Sequence, residues 1–476
     1  MIETERITIT QARALLDTKE ISSVELTRGY LEEIQRTDDD IHAYLEVFDD
    51  ALDGAERADR MIAKGTHGPL TGIPMAFKDN ILIEGKTCSG ASKILEKYVA
   101  SYDATVTSLL KDQEAVFLGR LNMDEFAMGA STEYSAYGPT KNPHDLTKVP
   151  GGTSGGTAAA VASGTALFAL GSDTAGSVRQ PASFCGVVGF KPTYGATSRS
   201  GLMAMGSSLD TIGSATQCVS DAEIVFSAIS GPDPLDATCA TQDLRDAMAA
   251  QRQPKRIGVP RAFLESEGIA DYVQKDFVAS LELLAAQGYE IVDIELPTIH
   301  MSLPAYYIIL PAEVSTNLSR YDGVRYGLQV EGEDLLDTYM KTRAAGFGPE
   351  ARRRIVLGTY VLSAGYYDAY YGKATNVRKL ITKEMVDIFA KVDVIATPTT
   401  PTEAFGLGET ASPLEMYMAD LFTVPANITG VPAISIPSGK SPTGLPLGLQ
   451  LFAPHFQESH LFEVGKKFEE ARGVYR

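Results

Sequence analysis

Residues 149–192 read VPGGTSGGTAAAVASGTALFALGSDTAGSVRQPASFCGVVGFKP. Two clusters of glycine and hydroxyl residues, Gly151 to Thr157 and Asp173 to Ser177, alternate here with apolar runs. Glycine is used where a chain must take positive φ or let another group approach its backbone. Beside hydroxyls, such loops expose N–H groups that can hold an anion or a developing negative charge. Ala158 to Ser163 suits a helix rising from the first cluster, and Leu167 to Leu170 a short buried strand. That order puts Ser177 on a loop just past the carboxyl end of a strand, where open α/β sheets place their ligands.

Outward from this stretch the same alternation continues. Upstream, Val116 to Leu121 reads as a strand after a helix over Ala104 to Ala115. Lys78 lies between two short apolar runs, either on a solvent turn, which the pattern favours, or at the end of a strand where burial would disfavour its charge. Asp124 and Glu125 read as the first turn of a helix rather than as a catalytic pair. The first 65 residues or so are helical: Ser22 to Glu25 has capping-box spacing, and Ala51 to Lys64 ends at Gly65. Downstream, about 231–255 is polar and reads as a surface excursion or insertion. Beyond it, Arg256 to Pro260, a helix over Tyr272 to Gln287 and Tyr289 to Ile294 form a strand–helix–strand unit. Gly365 to Tyr371 lies in a predicted helix, strands are expected at 392–397, 433–436 and 447–452, and the chain closes with a helix over Ser459 to Arg472. The expectation is an α/β fold, one sheet extended by an insertion, in a single large domain over residues 1–476.

The formal charge of −19, from 42 basic and 61 acidic residues, argues against this chain holding nucleic acid by itself. The N-terminus has acids where a secretion signal needs basic residues, no apolar run is long enough to span a membrane, and the four cysteines are widely spaced, so a cytoplasmic setting is expected. No lysine follows either glycine cluster in P-loop fashion. Gly152-Thr153-Ser154-Gly155-Gly156 matches G-x-S-x-G, but the residues before it are no strand, and His300, His455 and His460 lack convincing carboxylate partners for a triad. There remains a hydroxyl nucleophile with a lysine base: Ser177, Lys78, and a proton relay through Thr153 or Ser154. Equally open is that the hydroxyls only satisfy turn backbone.

The run from Gly151 to Gly156 and on through Gly171 to Ala182 resembles the signature of the amidase signature family. The resemblance implies a mixed central sheet surrounded by helices, and a Ser-cis-Ser-Lys triad on Ser177, position 153 and Lys78. Thr174, Ala175 and Gly176 would form the oxyanion hole, and Ser154, Asp173 and Arg179 would support it. Position 153 departs from the family, with threonine for the usual serine. The motifs 122–129, 320–327, 362–371 and 416–420 are similar to those of the glutamine-hydrolysing A subunits of tRNA-dependent amidotransferases, which serve Glu-tRNA(Gln) or Asp-tRNA(Asn). That likeness implies glutamine held by Tyr306, Arg354 and Asp420, although on charge pattern alone Arg354 and Asp420 would be solvated surface residues. It further implies no metal or cofactor in this chain, a B subunit that binds tRNA and uses ATP and Mg, and a C subunit completing a heterotrimer. A stand-alone amidase for other carboxamides and a non-catalytic scaffold are the competing expectations.

Overall fold

A computed structural model describes residues 7–249, 253–265, 268–409 and 413–473. Among the described residues eleven strands make one sheet: β1 (Tyr44–Val47), β2 (Pro74–Lys78), β3 (Val116–Leu121), β4 (Phe168–Asp173), β5 (Val188–Lys191), β6 (Thr211–Thr216), β7 (Arg256–Val259), β8 (Glu290–Asp293), β9 (Val394–Pro398), β10 (Ala433–Lys440) and β11 (Pro446–Phe452). Their order is β1-β3-β2-β4-β6-β5-β10-β11-β9-β7-β8. The sheet is mixed: β3, β2 and β4 run parallel, as do β9, β7 and β8, and the strands between are antiparallel. The chain is therefore one α/β domain, with helices packed around the sheet.

Local signals explain many of the elements. Ser22 caps the helix Ser23–Ile41 in a reciprocal box with Glu25, and Leu26, Tyr30 and Ile34 on its stripe are buried. Helix Ala51–Lys64 stops at Gly65, whose φ of +71° suits the left-handed cap. These helices, with Gly155–Ala162, cover the core built on Met75, Phe77, Leu118 and Phe168. Helices Asp271–Ala286 and Glu458–Arg472 cover the other half of the sheet through Phe277, Leu284, Phe462 and Phe468. The polar excursion, of which 250–252 lie outside the described residues, holds a short helix, Gln242–Met248. Arg245 ties that helix down by donating to the carbonyls of Gly195, Ala196 and Gly231.

Some expectations need correction. Lys78 is the last residue of β2 and wholly buried, because the parallel neighbours β3 and β4 flank it. Asp124 and Glu125 start no regular helix: a single 3-10 turn, Glu125–Ala127, contains Phe126 at φ +48°, and both carboxylates are buried. Residues 368–372 form a π-helical turn leading into helix Lys373–Phe389. The short strands β1, β5 and β6 and the helices Ser302–Asn317, Leu335–Gly346 and Pro349–Leu362 carry no clear two- or 3.6-residue signal, yet all form.

Candidate active site

Three parallel strands end side by side, and each hands a motif to the same place. β2 ends at Lys78, β3 leads into Asn122-Met123-Asp124, and β4 ends at Asp173 and continues into Thr174 to Ser177. The first glycine cluster folds over these ends, with Ser154 starting the helix Gly155–Ala162 and the Gly152–Thr153 peptide in cis. Its glycines are required by crowding: a Cβ on Gly152 would run into the Asp124 carboxylate, and one on Gly156 into the Asn122 carbonyl.

Lys78 Nζ lies 2.7 Å from Thr153 Oγ1, 2.8 Å from Ser154 Oγ and 3.0 Å from Ser172 Oγ. None of these partners is charged. Burial pushes the amine down to about 7, against the pull of Asp124, Asp173 and Asp210. Ser154 Oγ in turn donates to the Ser172 carbonyl, and Asn80 Nδ2 to Ser172 Oγ. Ser177 joins the cluster through its carbonyl, which accepts from Ser154 N at 3.0 Å. Among the described residues its hydroxyl forms no side-chain hydrogen bond, so the Lys78–Thr153 leg of a relay is closed here and the Thr153–Ser177 leg is not.

The second cluster is held by an ion pair. Arg179 grips Asp173 bidentately, Nε to Oδ2 at 3.0 Å and Nη2 to Oδ1 at 2.9 Å, and reaches Gln450, Asn427 and the Thr423 carbonyl. Burial would raise the Asp173 carboxyl, but Arg179 outweighs it and holds it at about 2. Asp173 also takes the N–H groups of Gly176 (2.9 Å) and Val178. Of the three N–H groups expected to form an oxyanion hole, that of Gly176 donates to Asp173 in this structure. The free N–H groups of the loop, among the described residues, are those of Thr174, Ala175 and Ser177. Gly176 serves instead by shape, since at φ +128° a Cβ would run into Thr423.

Thr423 links this loop to a second group of side chains, its hydroxyl meeting the carbonyls of Ala175 and Asp420. Arg354 and Asp420 are both buried, not solvated. Arg354 lies in the second turn of helix Pro349–Leu362, where Glu350 holds its Nε at 2.8 Å. The guanidinium carbon is 5.6 and 5.7 Å from the ring centroids of Tyr307 and Tyr417, which stack 3.9 Å apart. Tyr307 Oη donates to Asp420 Oδ2 at 3.1 Å, and burial lifts that carboxyl to about 7. Tyr306 is buried beside Arg354 and packs edge-on against Tyr307, so both tyrosines belong to the group.

His144 and His455 are each bonded through Nε2 to a backbone carbonyl, of Cys185 and Thr429. No His, Cys, Asp and Glu cluster among the described residues is arranged to hold a metal, and no described helix is long and apolar enough to cross a membrane. Sequence reasoning missed Ser172, Glu350, Tyr307, Tyr417, Thr423 and Asn427. Ser172 sits inside the opening stretch, Glu350 stands one helical turn before Arg354 and Tyr417 three residues before Asp420, so these could have been found from the sequence; Tyr307, Thr423 and Asn427 meet the site only through the fold.

A sheet with a buried lysine, paired hydroxyls and an Asp–Arg-braced serine loop defines an amidase: the chain belongs to the Amidase family, whose model matches residues 25–462. It is 52% identical over 472 residues to the A subunit of the glutamyl-tRNA(Gln) amidotransferase of Moorella thermoacetica, covering 97% of this chain and 96% of the relative. The crystal structure of the corresponding protein from Thermotoga maritima is 39% identical and superimposes with a TM-score of 0.80 over 99% of this chain and 96% of that one. The peptide amidase of Stenotrophomonas maltophilia has the same fold at 28% identity, with a TM-score of 0.81 over 98% and 97% of the two chains.

Proposed function

We propose that this chain is the glutaminase component of a tRNA-dependent amidotransferase, releasing ammonia from glutamine for the conversion of Glu-tRNA(Gln), Asp-tRNA(Asn) or both to their amides. The observation that carries the reading is the buried Arg354–Asp420 group beside the Ser177 loop. A guanidinium and a carboxylate set together suit the α-carboxylate and α-ammonium of a free amino acid, features a general carboxamide lacks.

The chemistry is serine acylation. Neutral Lys78 takes the proton of Thr153 while Thr153 takes that of Ser177, whose oxygen bonds to the side-chain amide carbon of glutamine. The oxyanion is met by the N–H groups of Thr174, Ala175 and Ser177. The proton returns by the same route to the amide nitrogen, the C–N bond breaks and ammonia leaves. Water then attacks the glutamyl ester, giving its proton to Lys78, which returns it through Thr153 to the Ser177 oxygen as the ester C–O bond breaks and glutamate is freed. Ser154 and Ser172 hold the amine in place, and Asp173 with Arg179 hold the loop. A neutral lysine is the form this relay needs, and the burial of Lys78 among uncharged hydrogen-bond partners supports that state.

Ammonia passes to a B subunit that binds the tRNA and uses ATP and Mg, with a C subunit completing the heterotrimer; the net charge of −19 suits a chain that leaves the RNA to its partner. The test is ammonia release from glutamine by the chain co-expressed with B and C subunits. Ser177→Ala should lower kcat by about 10⁴-fold or more, as loss of a nucleophile does. Full activity in that variant, or equal activity toward unrelated carboxamides without any partner, would sink the reading.

A further inference from the structure

Asp124 and Glu125 are adjacent, both buried, and reach in opposite directions. Asp124 accepts from the N–H groups of Thr132 (2.9 Å) and Tyr134 (3.0 Å), and its own N–H donates to the Thr153 carbonyl at 3.3 Å. It thus belongs to the hydroxyl cluster. Glu125 faces the other way: Oε2 accepts from Gly348 N at 2.8 Å, and Oε1 from Ser92 Oγ at 2.5 Å. Gly348 is the N-cap of helix Pro349–Leu362, the helix that carries Glu350 and Arg354. A carboxylate at that end meets an unsatisfied N–H and the positive pole of the helix dipole together. The fit is close, for a Cβ on Gly348 would come within 2.5 Å of Glu125 Oε2. The backbone between the two anchors is constrained as well. Phe126 and Ala127 hold φ of +48° and +61°, uncommon for residues with side chains, while Phe126 stacks on Tyr321 and packs at a tilt against Phe347.

We infer that Glu125 is a positioning residue: by holding the Gly348 N–H it sets where helix Pro349–Leu362 begins, and so where Arg354 stands relative to Thr153 and Ser177. It touches neither substrate nor reacting atoms. Its effect is on recognition of the substrate's carboxylate, so the inference rests on the glutaminase reading.

The test uses the complete enzyme with its partner proteins and two substrates, glutamine and a simple aliphatic carboxamide without an α-carboxylate. In Glu125→Ala, KM for glutamine should rise about tenfold with kcat within about twofold, the pattern of lost uniform binding. The carboxamide should be turned over as by the wild type, which a general loss of structure would not allow. Glu125→Asp, too short to reach Gly348, should move KM the same way should the alanine variant fail to fold. Glu125→Gln, whose amide oxygen can still accept from Gly348, should restore KM. A fall in kcat at constant KM, or a parallel loss on both substrates, overturns the inference while leaving the glutaminase reading intact. A wild type that releases no ammonia from glutamine overturns both.

Discussion

Lys78 and Arg354 are two buried basic side chains in one site, and their fates are opposite. Lys78 is flanked by hydroxyls and a carbonyl, with the nearest carboxylates one layer out, and burial drives it down to about 7. Arg354 is bonded to Glu350 and lies against two tyrosine rings, and these neighbours outweigh burial and raise its pKa further. Desolvation acts on both; the first layer of partners decides the outcome. The difference matches the two tasks proposed for them. A base must be able to take a proton, whereas a carboxylate anchor must never lose its charge.

The comparison can be broken most directly at Lys78. Lys78→Arg puts a permanent cation in its place and removes any base near neutral pH, so kcat should fall by about 10³-fold with KM for glutamine little changed. An active arginine variant would mean that the lysine is structural. Thr153→Val removes the hydroxyl that meets Lys78 and should lower kcat by about 10²-fold, while Thr153→Ser should stay within about threefold of the wild type. Equal rates for all three would take position 153 out of the relay. On the recognition side, Arg354→Lys retains charge but loses the planar fork and the ring contacts, so KM for glutamine should rise about 10- to 30-fold at nearly constant kcat.

The smallest effect is a slope. Lys78 at about 7 must be deprotonated to act as a base, and Asp420 at about 7 must be deprotonated to hold an ammonium. Both changes favour activity as pH rises, so log kcat/KM should climb toward pH 7 with a slope above one below that pH, approaching two at the acid end. Asp420→Asn should reduce that slope to one, and an unchanged profile would remove Asp420 from the titration.

The two regions also differ in how far they could be read from the chain. The hydroxyl cluster was legible because Thr153, Ser154, Asp173 and Ser177 lie within one glycine-dense stretch, where residue type and local conformation are tied together. Lys78 was visible but misplaced: a lysine between apolar runs favours solvent until parallel strands are packed on both sides of it. Arg354 in its run of arginines and Asp420 looked like solvated surface, and resemblance alone singled them out. Their burial comes from Tyr307, Tyr417 and Glu350, brought from three separate segments.

By itself, then, the sequence determined the α/β alternation, the two clusters and the identity of the hydroxyls, since strand and helix periods, capping boxes and glycine turns are local properties. The tertiary structure alone decided which N–H groups remain free around Ser177, with the Gly176 N–H taken by Asp173. It also decided which of two buried basic groups keeps its charge. Asp173 takes that N–H from three residues away but is itself held by Asn427, far along the chain, and the charge of both basic groups depends on how completely the assembled sheet and helices exclude water from them.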